Sequence, residues 1–136
     1  MIYEDELSKL LAEAEADRIE RTTSIKDTDK FSEAVTAFAN YLPNHRLPGY
    51  LVIGVNDDGT PSGLEVTDQL LQNLGGLKSD GNIQPLPSLN VAKFSLPGGD
   101  IAVVEVLPSD LPPVRYKGRV CVRVGPRKAS QKYLKF

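Results

Sequence analysis

Gly49-Tyr50-Leu51-Val52-Ile53-Gly54-Val55-Asn56-Asp57-Asp58-Gly59 is the stretch on which the fold turns. Tyr50 to Val55 is apolar throughout, which suits a strand whose sheet is covered on both faces. Asn56-Asp57-Asp58-Gly59 then supplies reversal chemistry, because Asn and Asp bond their own backbone and Gly adopts positive φ without strain. The expectation is a covered strand, a tight reversal and a hairpin continuing over residues 60–64.

Upstream, Tyr41 to Gly49 holds two prolines and Asn44-His45-Arg46, and reads as an exposed loop. Before it, Phe31, Ala34, Val35 and Phe38 trace one apolar stripe, so a helix runs from an N-cap at Asp27 or Asp29 to about Asn40. Residues 18–24 end β-branched and read as a short strand. Leu7, Leu10, Leu11 and Ala14 have helical spacing, giving an amphipathic helix over 3–16.

Downstream, Val66, Leu70, Leu71 and Leu74 predict a helix closed by Gly75-Gly76, and residues 80–87 read as loop. Residues 89–96 and 101–107 form strands joined by Pro97-Gly98-Gly99-Asp100, and 114–117 and 119–124 pair about Gly118. In the last strand Val120, Val122 and Val124 alternate with Arg119, Cys121 and Arg123, predicting a core face and a basic face. The fold class is α+β: a mixed, mostly antiparallel sheet with hairpins, flanked by two or three helices. Residues 1–136 form one domain. Gln131 to Phe136 reads as the start of a helix, so the chain also reads as the N-terminal part of a longer protein.

With 40% apolar and 25% charged residues among 136, the composition is that of a globular domain rather than a disordered or fibrous one. The single cysteine, Cys121, has no partner for a disulfide within the chain, and the opening residues carry neither a cationic start nor an apolar segment. A cytoplasmic location follows as the expectation. The longest apolar runs are far too short to span a bilayer, so no membrane partner is expected. Residues 1–113 hold 18 acidic and 8 basic side chains, whereas 114–136 hold 8 basic and none acidic. Such clustering creates a local positive field that distant carboxylates do not cancel through salt, and it points to a polyanion as partner.

Val35 to Asn40, Gly49 to Gly59 and Gly63-Leu64, taken in order, resemble the signature of the Schlafen AlbA-type domain. Glu15 and Glu20 flanking Arg18-Ile19, Leu107-Pro108-Ser109 with Pro112-Pro113, and Val122-Arg123-Val124-Gly125 agree with it, so the likeness spans roughly residues 15–127. Two departures stand out. Glu20-Arg21-Thr22 replaces the family's usual Glu-Phe-Lys, and Tyr41 to Pro48 with one Gly49 replaces its paired glycines. The resemblance implies a mixed sheet with flanking helices and nucleic-acid contact, as in transcriptional regulators and helicase-related proteins.

On this reading Arg115, Lys117, Arg119, Arg123, Arg127, Lys128 and Lys132 neutralise phosphates of DNA or RNA, with Tyr116 and Tyr133 placed to stack on bases. Arg and Lys alone do not read sequence, so no base-directed contact is expected. The resemblance also implies an alternative, since some Schlafen proteins cut RNA. Glu15, Glu20 and one of Asp57 or Asp58 would then hold Mg²⁺ or Mn²⁺ and activate water; otherwise no cofactor is expected. A third alternative is an oligomerisation domain, with the chain as its own partner. No phosphate-wrapping Gly-x-x-x-x-Gly-Lys loop occurs, and one His with one Cys does not make a zinc site.

Overall fold

A computed structural model describes residues 5–7, 9, 18–40, 47–123 and 133–135. The strands are β1 (Ile19–Thr22), β2 (Gly49–Ile53), β3 (Ile83–Gln84), β4 (Leu89–Leu96), β5 (Gly99–Val106), β6 (Arg115–Tyr116), β7 (Arg119–Arg123) and β8 (Tyr133–Lys135). The helices are α1 (Thr28–Asn40) and α2 (Asp68–Gly75), the latter followed by a 3₁₀ turn over Gly76–Lys78. Residues 5–7 and 9 are also helical, as expected; the rest of the predicted 3–16 helix lies outside the described residues.

The described residues form two four-stranded sheets, ordered β1-β2-β5-β4 and β3-β6-β7-β8. Among the described residues only β1 and β2 pair in parallel, across the α1 crossover, and the other pairings are antiparallel. The α+β expectation holds. All five residues of β2 are buried, as an apolar central strand requires. One face of its sheet contributes Leu51, Ile53, Ala102 and Val104 to a core shared with α1 and α2. The opposite face packs Tyr50, Val52, Ile101 and Val103 around Leu7 and Ile19.

Helix α1 lies between the two sheets, touching β2 and β5 on one side and β6 and β7 on the other. That position explains why Ala34, Ala37 and Ala39 are buried as well as Phe31, Val35 and Phe38. A helix covered nearly all round needs small residues wherever a strand passes close. Its start is capped by Asp27, whose Oδ1 accepts from the Lys30 amide at 3.0 Å. At its end Asn40 donates from Nδ2 to the carbonyls of Val114 (2.9 Å) and Cys121 (3.0 Å) and accepts from the Val114 amide at 2.6 Å. One buried carboxamide thus fastens the second sheet to the helix.

Three expectations are corrected. The hairpin over 60–64 reduces to a single bridge between Val55 and Pro61, flanked by the Asn56 and Ser62 amides donating to the Thr60 and Gly54 carbonyls, because positive φ at Gly54 and Gly63 turns both chains out of strand geometry. Residues 80–87 are not all loop, since Ile83, fully buried, pairs with Tyr116 in the second sheet. Residues 133–135 are a strand beside β7 rather than the start of a helix. A helix so short has little stability of its own, whereas strand pairing satisfies the backbone directly.

Candidate nucleic-acid interface

The β6–β7 hairpin turns on Lys117 (φ 49°) and Gly118 (φ 80°), the two positive φ values of a tight reversal that matches strand twist. Directly opposed residues share a face, so Tyr116 and Arg119 lie together, with Cys121 and Arg123 further along it. That face looks onto α1. The Tyr116 hydroxyl donates to Asp29 Oδ1, and Lys117 Nζ lies 3.5 Å from the same oxygen. Because Asp27 caps the helix, Asp29 serves the hairpin instead. Burial and the Asp29 bond push the Tyr116 hydroxyl above its ordinary pKa. Its hydrogen bond to Tyr116 and the Asp29 charge push Lys117 up as well, so the cation and the phenol proton are both held.

A cleft of about 280 Å³ separates α1 from the hairpin, lined by Asp29, Glu33, Tyr116, Lys117, Arg119 and Cys121. Arg115, Lys117 and Arg119 are exposed at this end of the molecule.

Arg123 is placed otherwise. Its guanidinium donates to Glu20 Oε2 at 3.2 Å and to the Ile19 carbonyl at 2.7 Å, and sits 5.6 Å from the Phe38 ring centre. Both side chains of the pair are buried, 4% and 2% exposed. The predicted basic face therefore ends after Arg119, and the inner half of β7 is covered on both sides. Cys121, 2% exposed between the two arginines, is the residue in the sequence that signals this. Tyr116 is likewise no stacking platform, because its ring belongs to the core and its hydroxyl is held by Asp29. Arg127, Lys128, Lys132 and the side chain of Tyr133 lie outside the described residues.

The described carboxylates of the metal reading are dispersed. Glu20, paired in register with Leu51, points to the α1 side of its sheet, where Arg123 meets it. Arg21 points to the other side and donates to the Asp57 carbonyl at 3.2 Å. Asp58 Oδ1 accepts from the Thr60 amide (2.9 Å) and hydroxyl (2.6 Å), bonds that hold its carboxyl below the ordinary range. Among the described residues no three of His, Cys, Asp and Glu form a group able to hold a metal ion. Glu15 lies outside them. No described helix is long and apolar enough to cross a membrane.

The Schlafen, AlbA_2 family profile matches residues 15–131. This chain belongs to that family. Among solved structures it is similar to the N-terminal domain of a RecG-related protein from Nitrosomonas europaea, named for its relation to an ATP-dependent DNA helicase. The two share 29% identity over 78% of this chain and 72% of that one, with a TM-score of 0.59. The DIP2311 protein from Corynebacterium diphtheriae shares the fold at 20% identity and a TM-score of 0.54, over 80% of this chain and 24% of that one. No curated protein matches the sequence.

Proposed function

We propose that this domain is a nucleic-acid-binding module of a regulatory or helicase-related protein, gripping the phosphates of DNA or RNA in the cytoplasm without a cofactor. The observation that carries this reading is the exposed group Arg115, Lys117 and Arg119 on one tight hairpin, at the start of a stretch with eight cations and no carboxylate. Arg127, Lys128 and Lys132 extend the same stretch. Membership of a family with a helicase-related structural neighbour supports it.

Phosphate neutralisation releases condensed counterions, so affinity must fall steeply with salt, by a slope of about 0.7–0.9 per phosphate contact on a log–log scale. Binding of mixed-sequence DNA and RNA oligomers, titrated from low to high salt, tests this. A slope near zero overturns it. A metal-dependent nuclease would need Glu20 to leave Arg123 unneutralised in the interior, and the geometry favours binding over that reading.

A further inference from the structure

We propose that Leu86 and Leu111, standing out beside Arg115, form an apolar rest for unstacked bases, so that the domain takes strands with unpaired bases in preference to perfect duplex. This rests on the nucleic-acid reading and adds to it the state of the strand that is taken.

Exposure at one place is the first ground. Leu111 is 72% exposed and Leu86 56%, the two highest values among the large apolar side chains described. One exposed leucine means little, whereas two that emerge together make a patch. Strands β3 and β6 run antiparallel with Gln84 opposite Arg115, so the chain leaving Gln84 and the chain arriving at Arg115 lie beyond the same end of the ladder. At no more than about 3.6 Å per residue, Leu86 is within about 7 Å of Gln84 and Leu111 within about 14 Å of Arg115. Exposed Pro112 and Pro113 belong to the same segment as Leu111.

Rigid presentation is the second. The Ser109 amide donates to the Ala39 carbonyl at 2.9 Å and the Val114 amide to Asn40 Oδ1 at 2.6 Å, so both ends of the Leu111 segment are tied to the end of α1. Leu86 stands between Ile83 and Leu89, both buried. Prolines on either side of Leu86 and after Leu111 fix φ, so little freedom remains to be lost on binding.

Charge then selects the occupant. Arg115 is exposed at the patch and Lys117 and Arg119 follow on the same hairpin, whereas Asp110 is the one carboxylate in residues 85–88 and 109–114. The matching partner carries apolar faces and a run of negative charge together. Unstacked bases on their phosphate backbone have that layout; in perfect duplex the base faces are stacked away and only phosphates remain. Leucine and proline are among the side chains that wedge between base steps in architectural proteins. Tyr116, the one aromatic residue of the hairpin, is buried, so contact with base faces falls to the leucines.

The test is competition anisotropy on the full chain with three mixed-sequence DNA probes: a single strand, its perfect duplex, and that duplex with a central bulge of unpaired bases. The single strand and the bulged duplex should each bind at least about fivefold tighter than the perfect duplex. Leu86→Ser combined with Leu111→Ser should bring both ratios close to one, the urea midpoint verifying the fold. With 2-aminopurine in the bulge, wild type should change its fluorescence and the double variant should not. Equal affinity for all three probes with a steep salt slope overturns the inference and leaves the binding function standing. A preference that survives the double variant also overturns it. A second copy, acidic over residues 1–113, is the other occupant with matching charge. A dimer in sedimentation that the double variant abolishes, with the three probes bound equally, gives the patch to that copy and overturns the inference. No binding of any probe at low salt overturns the function and the inference together.

Discussion

Arg119 and Arg123 sit on the same strand and the same face, four residues apart, in opposite environments. Arg119 stands at the open end of β7 beside the cleft, in water; Arg123 is sealed between Glu20, the Ile19 carbonyl and the ring of Phe38. One is available to an external anion, and the other has its anion built in. Alternation along a strand tells which side chains share a face, but what covers that face is decided by another element, here α1.

The sharpest way to break this contrast is to remove the inner cation. Arg123→Ala leaves the Glu20 carboxylate buried without its guanidinium and should cost about 3–5 kcal/mol, read as a fall in the urea midpoint. Removing both partners with Glu20→Met and Arg123→Met should cost less than the single change, because no uncompensated charge remains. Equal stability of Arg123→Ala and wild type would place Arg123 in the same class as Arg119.

Asn40 joins the two regions, and Asn40→Ala strips three hydrogen bonds from buried backbone groups. A loss of about 2–3 kcal/mol is expected, and amide hydrogen exchange at Val114 should accelerate most. At the outer end the effects move from stability to affinity. Arg115→Gln, Lys117→Gln and Arg119→Gln should each lower the salt slope of nucleic-acid binding by about 0.7–0.9, with stability within about 0.5 kcal/mol of wild type.

The smallest expected effect is alkaline. Tyr50 and Tyr116 are raised above the ordinary value of 10.0, both chiefly by burial, with Glu105 and Asp29 respectively adding to it. The folded chain therefore keeps these protons to higher pH than the unfolded chain does. Their contribution is complete below pH 10.0 and declines as pH rises beyond it. Tyr116→Phe should flatten part of that decline in denaturant melts run at increasing pH.

Much of the fold was legible because it is local. The apolar run at Tyr50 fixed β2, the stripe from Phe31 to Phe38 fixed α1, and Pro97-Gly98 fixed the reversal between β4 and β5. The division into two sheets was not legible, because β3 rests on one buried residue, Ile83, inside a loop-like stretch. In the candidate site, the exposed trio on the hairpin follows from charge clustering. Asp29 and Glu33 do not, since nothing near them in the sequence announces that a distant hairpin will face them. For the same reason Glu20 reads in the sequence as a metal ligand and Arg123 as a phosphate contact, their partnership spanning 103 positions.

That separation has a consequence during synthesis. At roughly 5–20 residues per second a ribosome takes on the order of 5–20 s to proceed from Glu20 to Arg123. Throughout that interval β1 carries a carboxylate whose Arg123 partner has not yet been made. Until Arg123 arrives the first sheet cannot close over it at low cost, so the nascent chain should stay protease-sensitive late and then lock in one step.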